Sequence, residues 1–165
     1  MRQGLVALLT VLAAAGCGVF PHKAYDGPSR PERELSILRG GAFGDELSPV
    51  SLVELRVIDG KPQRAGLYLA SMLPGRHTIG LSETLRIATR TRTQYCAVEL
   101  DTLAGCLYIP RPPSPPSDAQ SGRNTDWEWS VDMPITVECG TGGSFQTRVP
   151  ARCGGSASVL ERPAR

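Results

Sequence analysis

Five cysteines are the side chains of this 165-residue sequence with the clearest chemistry of their own. Cys17 stands near the start, and the second half holds the other four, Cys96, Cys106, Cys139 and Cys153. An even set of cysteines favours disulfide bonds in an oxidising compartment, whereas zinc sites usually need a C-x2-C pair or several histidines. No C-x2-C pair occurs, and His22 and His77 are the only histidines. The pattern therefore predicts two disulfides and no metal or other cofactor.

Cys17 follows a segment with the features of an export signal. A short charged start leads into an apolar run at residues 5–15, and the small residues Ala15 and Gly16 precede the cysteine. The run is too short to cross a bilayer as a helix, which needs roughly 20 residues. Removal of residues 1–16 leaves 17 basic and 16 acidic side chains, a net charge of +1. This balance gives no electrostatic reason to expect a nucleic-acid partner.

A signal that ends in small residues and a cysteine resembles the lipobox of bacterial lipoproteins. The resemblance covers residues 1–17 and implies cleavage before Cys17 and attachment of fatty acyl chains to it. Two or more such chains hold a protein stably, since each buried methylene adds about 0.8 kcal/mol of membrane affinity. By resemblance to Gram-negative lipoproteins, Gly18 in place of Asp implies the outer membrane, with the domain facing the periplasm or the cell surface. The alternative is an ordinary secretory signal cut near Ala15, with Cys17 left as a free thiol.

Two sets of side chains are candidates for ligand binding. Arg86, Arg90 and Arg92 share a parity, so a single strand would display them as a basic stripe. Guanidinium groups suit the phosphates of lipopolysaccharide or other anionic envelope polymers, and the alternative is a solvated strand face that protects an edge. Trp127 and Trp129 could stack on sugar rings. Their parity continues that of the apolar residues after them, which favours a place in the core.

No catalytic motif is recognisable in the sequence. It lacks a Gly-x-Ser-x-Gly elbow, a His-Glu-x-x-His pair and a phosphate-binding glycine loop. His77 has no partner motif that would make it a general base. Glu99 and Asp101 share a strand face, but nothing marks them as a general acid and base. We therefore expect that the protein is not an enzyme.

The elements that must position these side chains are mostly short strands. Eighteen glycines and fourteen prolines indicate many turns and few long helices. Residues 127–139 alternate apolar and polar side chains, the pattern of a strand with one buried face. Pro134 places that strand at an edge or at a bulge. Seven or eight such strands predict a mainly β domain, a small β-sandwich of immunoglobulin-like or transthyretin-like topology stapled by disulfides.

The strand pattern also sets domain boundaries. Residues 17–33 are predicted to be an extended, lipidated tether, and residues 34–153 the β-sandwich. Within the sandwich, residues 110–124 begin with five prolines in seven positions and predict a solvated surface loop. Residues 154–165 are expected to be a flexible tail.

Predicted turns bear on the disulfide pairing. A hairpin turn after Cys139 would carry Cys153 away along the return strand, beyond the roughly 7 Å that bridged Cα atoms allow. A turn at residues 103–105 would align residues other than Cys96 with Cys106. Three connectivities stay open, with a lean toward bridges between non-adjacent segments.

A second resemblance rests on two motifs. Residues 53–60 (Val-Glu-Leu-Arg-Val-Ile-Asp-Gly) and 73–79 (Leu-Pro-Gly-Arg-His-Thr-Ile) resemble the PEGA-type pattern. In that pattern a strand ends in Asp-Gly and a later Leu-Pro-Gly-x-His-x-hydrophobic opens the next strand. Residues 98–108 are similar to the strand, turn and strand that often follow in small bacterial lipoproteins. The resemblance implies a small β-sandwich at the cell envelope and brings no catalytic residues.

These features together predict a non-enzymatic lipoprotein of the cell envelope with a structural or assembly role. Its expected partners are the membrane, through the lipid on Cys17, and an envelope protein or polysaccharide. The alternative is a periplasmic ligand-binding or inhibitor module that contacts a glycan, an anionic envelope polymer or a protein.

Overall fold

Short strands dominate the computed structural model, which describes residues 20–44, 50–87, 90–114, 127–140 and 142–161. These residues form two short 3-10 helices, Glu32–Glu34 and Ala157–Glu161, and eleven strands. The strands are β1 (His22–Lys23), β2 (Ser36–Arg39), β3 (Gly41–Phe43), β4 (Val50–Ile58), β5 (Lys61–Pro62), β6 (Leu69–Met72), β7 (Gly75–Ile87), β8 (Arg90–Thr102), β9 (Cys106–Pro110), β10 (Glu128–Cys139) and β11 (Ser144–Gly154). The prediction of a mainly β fold is confirmed.

One curled sheet contains all these strands and forms a half-barrel. Its order is β1-β6-β2-β9-β10-β11-β8-β7-β4-β3, with β5 paired to β4. Leu38 of β2 and Val53 of β4 belong to one buried apolar cluster, although five strands lie between β2 and β4 in that order. The sheet therefore wraps around its core, whereas the predicted sandwich would have packed two sheets face to face.

Gly40 forms a corner that brings distant strands of the sheet together. β2 before it pairs with β6 and β9, whereas β3 after it pairs with β4. A Cβ atom on Gly40 would lie 2.2 Å from the carbonyl oxygen of Val53, so only glycine allows this approach. Gly40 N donates to Tyr68 O at 2.8 Å, and Leu55 N donates to Leu67 O at 2.8 Å. These bonds tie the segment before β6 to both the corner and β4.

β10 confirms the predicted alternation of buried and exposed residues, and it lies in the interior of the sheet. It pairs with β9 on one side and, without a register shift, with β11 on the other. β10 is therefore neither an edge strand over its whole length nor bulged at Pro134, but its pairing with β9 stops at Ile135, so Pro134 itself lies where that side of β10 is open. The Pro134 carbonyl accepts a bond of 3.0 Å from Arg111 N, one residue past the end of β9. The proline nitrogen faces the same side, where β9 has ended, so no ladder bond is lost.

Both flanks of the domain are packed further than expected. β1, predicted to be part of the tether, pairs with β6 in parallel. At the other end the 3-10 helix Ala157–Glu161 buries Val159 completely, so the prediction of a flexible tail is wrong as far as Glu161. Residues 115–124 of the predicted proline-rich loop lie outside the described residues.

Candidate functional site

Two disulfides join strand residues that are directly opposite each other. Cys96 of β8 bonds Cys153 of β11, and Cys106 of β9 bonds Cys139 of β10. The paired Cα atoms are 4.1 and 4.2 Å apart. The predicted lean toward non-adjacent segments holds for Cys96–Cys153, whereas Cys106–Cys139 joins the consecutive strands β9 and β10. Cys96 does not pair with Cys106, because β8 lies between β7 and β11, whereas β9 lies between β2 and β10.

The Cys96–Cys153 disulfide lies at a narrow joint in the sheet. β8 and β11 are paired only at residues 95–98 and 151–154, which is four residue pairs. By comparison, β7 and β8 are paired at thirteen positions and β10 and β11 at eleven. The joint connects the part of the sheet built from β3, β4, β7 and β8 to the part that contains β9, β10 and β11.

Pro150 explains why this joint is short. The register of the joint would set Pro150 opposite Glu99. The bond from Arg111 N to Pro134 O shows that even-numbered residues of β10 direct their backbone groups toward β9. By strand alternation, odd-numbered residues of β10 and β11 bond each other, and even-numbered residues of β11 face β8. Pro150 therefore faces β8 without an N–H to donate, and the ladder stops there.

Beyond Pro150 a cleft of about 450 Å³ lies between β8 and β11. Its apolar lining comes from both strands and from the core beneath them: Leu100, Leu103, Tyr108, Val137, Phe145 and Val149. Leu103 is 64% exposed and Phe145 is 54% exposed. Large apolar side chains that stay open to water beside a cleft are typical of interaction sites. This cleft was not predicted from the sequence, although Pro150 inside a strand is a signal for it.

The β8 rim of the cleft is charged. Arg76 Nε and Nη2 donate to the two carboxylate oxygens of Asp101, each at 3.1 Å. Hydrogen bonding to Arg76 lowers the pKa of Asp101. Asp101 and, more weakly, Glu99 raise the pKa of the Arg76 guanidinium. Among the described residues Glu99 has no ion-pair partner of its own, so two carboxylates face one guanidinium and the rim is acidic.

A buried carboxyl group, Glu83, lies on the core side of the pairing between β7 and β8. It is 5% exposed and is paired in register with Gln94, which is 1% exposed. Ser51 Oγ and Gln94 Nε2 donate hydrogen bonds to its carboxylate. Burial raises the pKa of Glu83, and the two hydrogen bonds oppose that rise. The sequence signal was present, because Glu83 occupies the apolar parity of its strand.

Glu83 should make the stability of the fold decrease as pH rises. Its pKa is raised in the folded state, so its contribution is complete below the unfolded value of 4.5 and is lost as pH rises through the folded value. Each unit of pKa difference is worth about 1.4 kcal/mol. We expect Glu83→Gln to flatten the dependence of the free energy of unfolding on pH in urea titrations between about pH 4.5 and 8. The exposed-site control Glu138→Gln should keep the wild-type slope, and an unchanged slope in Glu83→Gln would contradict this assignment.

The structure separates the arginines of the predicted basic stripe. Arg86 is paired with Thr91 across the hairpin of β7 and β8, whereas Arg92 is paired with Leu85. Paired residues share a face, so Arg86 and Arg92 lie on opposite faces of the sheet. The prediction of one stripe on one strand is wrong, because Arg86 lies on β7 whereas Arg92 lies on β8, which runs antiparallel to β7. For Arg90 the structure describes the backbone only.

Arg92 contacts one of the two tryptophans. Its guanidinium carbon lies 5.1 Å from the centre of the Trp127 ring, a cation–π contact. Trp129 packs against the buried cluster, and its Nε1 is buried without a hydrogen-bond partner. Trp129 therefore lies at the margin of the core, and Arg92 occupies one face of Trp127.

His77 is held by hydrogen bonds at both ring nitrogens. Nδ1 lies 2.7 Å from Asp59 Oδ2, and Nε2 lies 2.6 Å from the carbonyl oxygen of Leu73. Asp59 Oδ1 also accepts a bond of 3.0 Å from Thr78 N. These bonds join the turn after β4 to the start of β7. His77 thus has a structural role, with neither nitrogen available to a substrate.

The predicted lipid-attachment residue, Cys17, lies outside the described residues. Within the part of the chain that the structure describes, no three potential metal ligands cluster, and no helix has the length and apolarity needed to cross a membrane. Comparison with known protein families, with characterised proteins and with solved structures finds no match for this chain.

Proposed function

We propose that this chain is an exported lipoprotein of the cell envelope, anchored through Cys17, with a structural or assembly role. The single observation that carries the proposal is the pairing of the other four cysteines into two disulfides. Disulfides persist in oxidising compartments, so a chain that is stapled in this way suits an exported protein. Cys17 is the cysteine left over, and it follows a segment of export-signal type.

The docking of β1 determines how far the domain would stand from the membrane. β1 begins at His22, so four residues, 18–21, lie between Cys17 and the sheet. An extended chain spans at most about 3.3–3.6 Å per residue, so the five steps from Cys17 to His22 reach roughly 17 Å. The half-barrel would therefore lie close to the bilayer surface.

A second candidate function is a ligand-binding module, which the cleft beside β11 favours. The cleft combines an apolar lining with an acidic rim, and two exposed apolar side chains stand beside it. Binding sites commonly have this combination of apolar surface and a few polar groups. Both candidates are compatible with a lipid anchor, since an anchored domain can also bind a partner.

Substitution of Cys17 tests the anchor. We expect wild-type protein in the native host to fractionate with membranes and to require detergent for release, because acyl chains supply the affinity. Cys17→Ser should shift most of the protein out of the detergent-extractable, acylated pool. Gly18→Ser is the matched control, since it introduces the same side chain one residue later and keeps Cys17. Wild-type protein found free of membranes would contradict the proposal.

A further inference from the structure

We propose that the cleft between β8 and β11 binds an extended peptide segment of a partner protein, which inserts as an additional strand. This inference goes beyond the proposed function, because it holds whether or not Cys17 carries lipid. It rests on the backbone groups, the side chains and the charge that the two strands present to the cleft.

The backbone groups at the cleft identify a polypeptide as the ligand. Even-numbered residues of β11 face β8, as shown above for Pro150. Gln146 and Arg148 of β11 therefore direct their N–H and C=O groups toward β8. Glu99 and Asp101 of β8 direct theirs toward β11, because the neighbouring even-numbered residues bond β7. Among the described residues no backbone partner joins these two rows. Only an extended peptide supplies donors and acceptors on both edges at the spacing of a strand.

A folded second copy of this chain does not meet this requirement. A strand between β8 and β11 must have two free edges, whereas every described strand already pairs with at least one neighbour. The occupant is therefore a segment that is extended and unpaired before it binds.

The side chains define the pattern of the peptide. Leu100 of β8 and Phe145 and Val149 of β11 lie on the core-facing parity, so inward positions of the peptide should be apolar. Glu99 and Asp101 lie on the opposite parity at the β8 rim, where one guanidinium faces two carboxylates. Asp101 is paired with Arg76 and, in the register of the joint, lies across the cleft from Arg148. Glu99 lies across from Pro150 and has no ion-pair partner among the described residues, which favours Lys or Arg at the outward position nearest to it. The expected ligand thus alternates apolar residues with polar ones that include a basic side chain.

Selection from a library tests this proposal without a known partner. Random octapeptides displayed on phage would be selected against the full mature chain with both disulfides intact. We expect enriched sequences that alternate apolar residues with polar positions containing Lys or Arg. N-methylation of either the odd-numbered or the even-numbered residues in a synthetic copy of the enriched peptide should weaken binding at least tenfold, because each set donates its N–H groups to one of the two edges.

Variants of the chain locate the binding site. Phe145→Ala and Glu99→Lys should each weaken the selected peptide at least fivefold, whereas the matched controls Phe20→Ala and Glu138→Lys should not. Hydrogen exchange should show new protection of the Gln146 amide on binding. The proposal is overturned if no peptide is enriched, or if N-methylation of either the odd-numbered or the even-numbered peptide residues has no effect. It is also overturned if the controls and the cleft variants behave alike.

Discussion

Replacement of both Cys96 and Cys153 by alanine should lower the free energy of unfolding by about 3–4 kcal/mol. The two residues are 57 positions apart, and their bond restricts the unfolded chain over that length. Both side chains are buried, so their loss also leaves space in the core. The bond crosses a joint of four residue pairs, so few other interactions hold the two parts of the sheet together there.

The second disulfide provides the matched control. Cys106 and Cys139 are 33 positions apart, and their loop lies inside the first one. Their replacement should cost a similar amount in urea unfolding, but the joint should keep its protection from hydrogen exchange at residues 95–98. The Cys96/Cys153 variant should lose that protection first. A loss below about 1 kcal/mol, or equal protection of the joint in both variants, would contradict the role assigned to the Cys96–Cys153 bond.

Substitution of Gly40 by alanine should cost more than about 2 kcal/mol of stability. The new Cβ would lie 2.2 Å from the backbone oxygen of Val53, a distance that no side-chain rearrangement relieves. The corner between β2 and β3 would have to open, and the bond from Gly40 N to Tyr68 O would weaken with it. Thermal and urea unfolding would measure the loss.

Gly142→Ala is the control for the corner. The nearest atom to a Cβ there is the carbonyl oxygen of Cys139 at 3.4 Å, so the substitution should cost less than about 1 kcal/mol. Equal stabilities of the Gly40 and Gly142 variants would show that the corner does not require the close approach to Val53.

The sequence predicted those features that depend on local periodicity. Alternation over residues 127–139 identified β10 and its buried face, because side-chain direction in a strand repeats every two residues. The Asp59-Gly60 turn also follows from local chemistry, and both residues have positive φ values, 50° and 73°. The predicted turns argued against Cys96–Cys106 and Cys139–Cys153, and neither pair is bonded.

Strand order could not be predicted, because it depends on contacts between distant segments. β8 and β9 are consecutive in the chain yet lie apart in the sheet, and nothing local to residues 103–105 specifies that crossover. The curl of the sheet depends on the close approach of Gly40 to Val53. Twelve residues separate these two positions in the sequence. A sandwich and a half-barrel therefore have the same strand pattern in sequence.

The candidate sites show the same limit. The arginine stripe was predicted from parity across residues 86–92, but β7 ends at Ile87 and β8 pairs back on it from Arg90, which places Arg92 on the opposite face from Arg86. Glu83 interrupts an apolar parity, but its burial depends on Ser51 and Gln94 from other strands. The cleft arises where Pro150 meets Glu99, and that register is set by the joint rather than by either strand.

Mass spectrometry of the chain purified from its native membranes tests the lipid anchor most directly. We expect an N-terminal peptide that begins at Cys17 and carries the added mass of at least two fatty acyl chains. An N-terminal peptide with an unmodified Cys17, or one that still contains residues 1–16, would contradict the proposed anchor and the envelope role built on it.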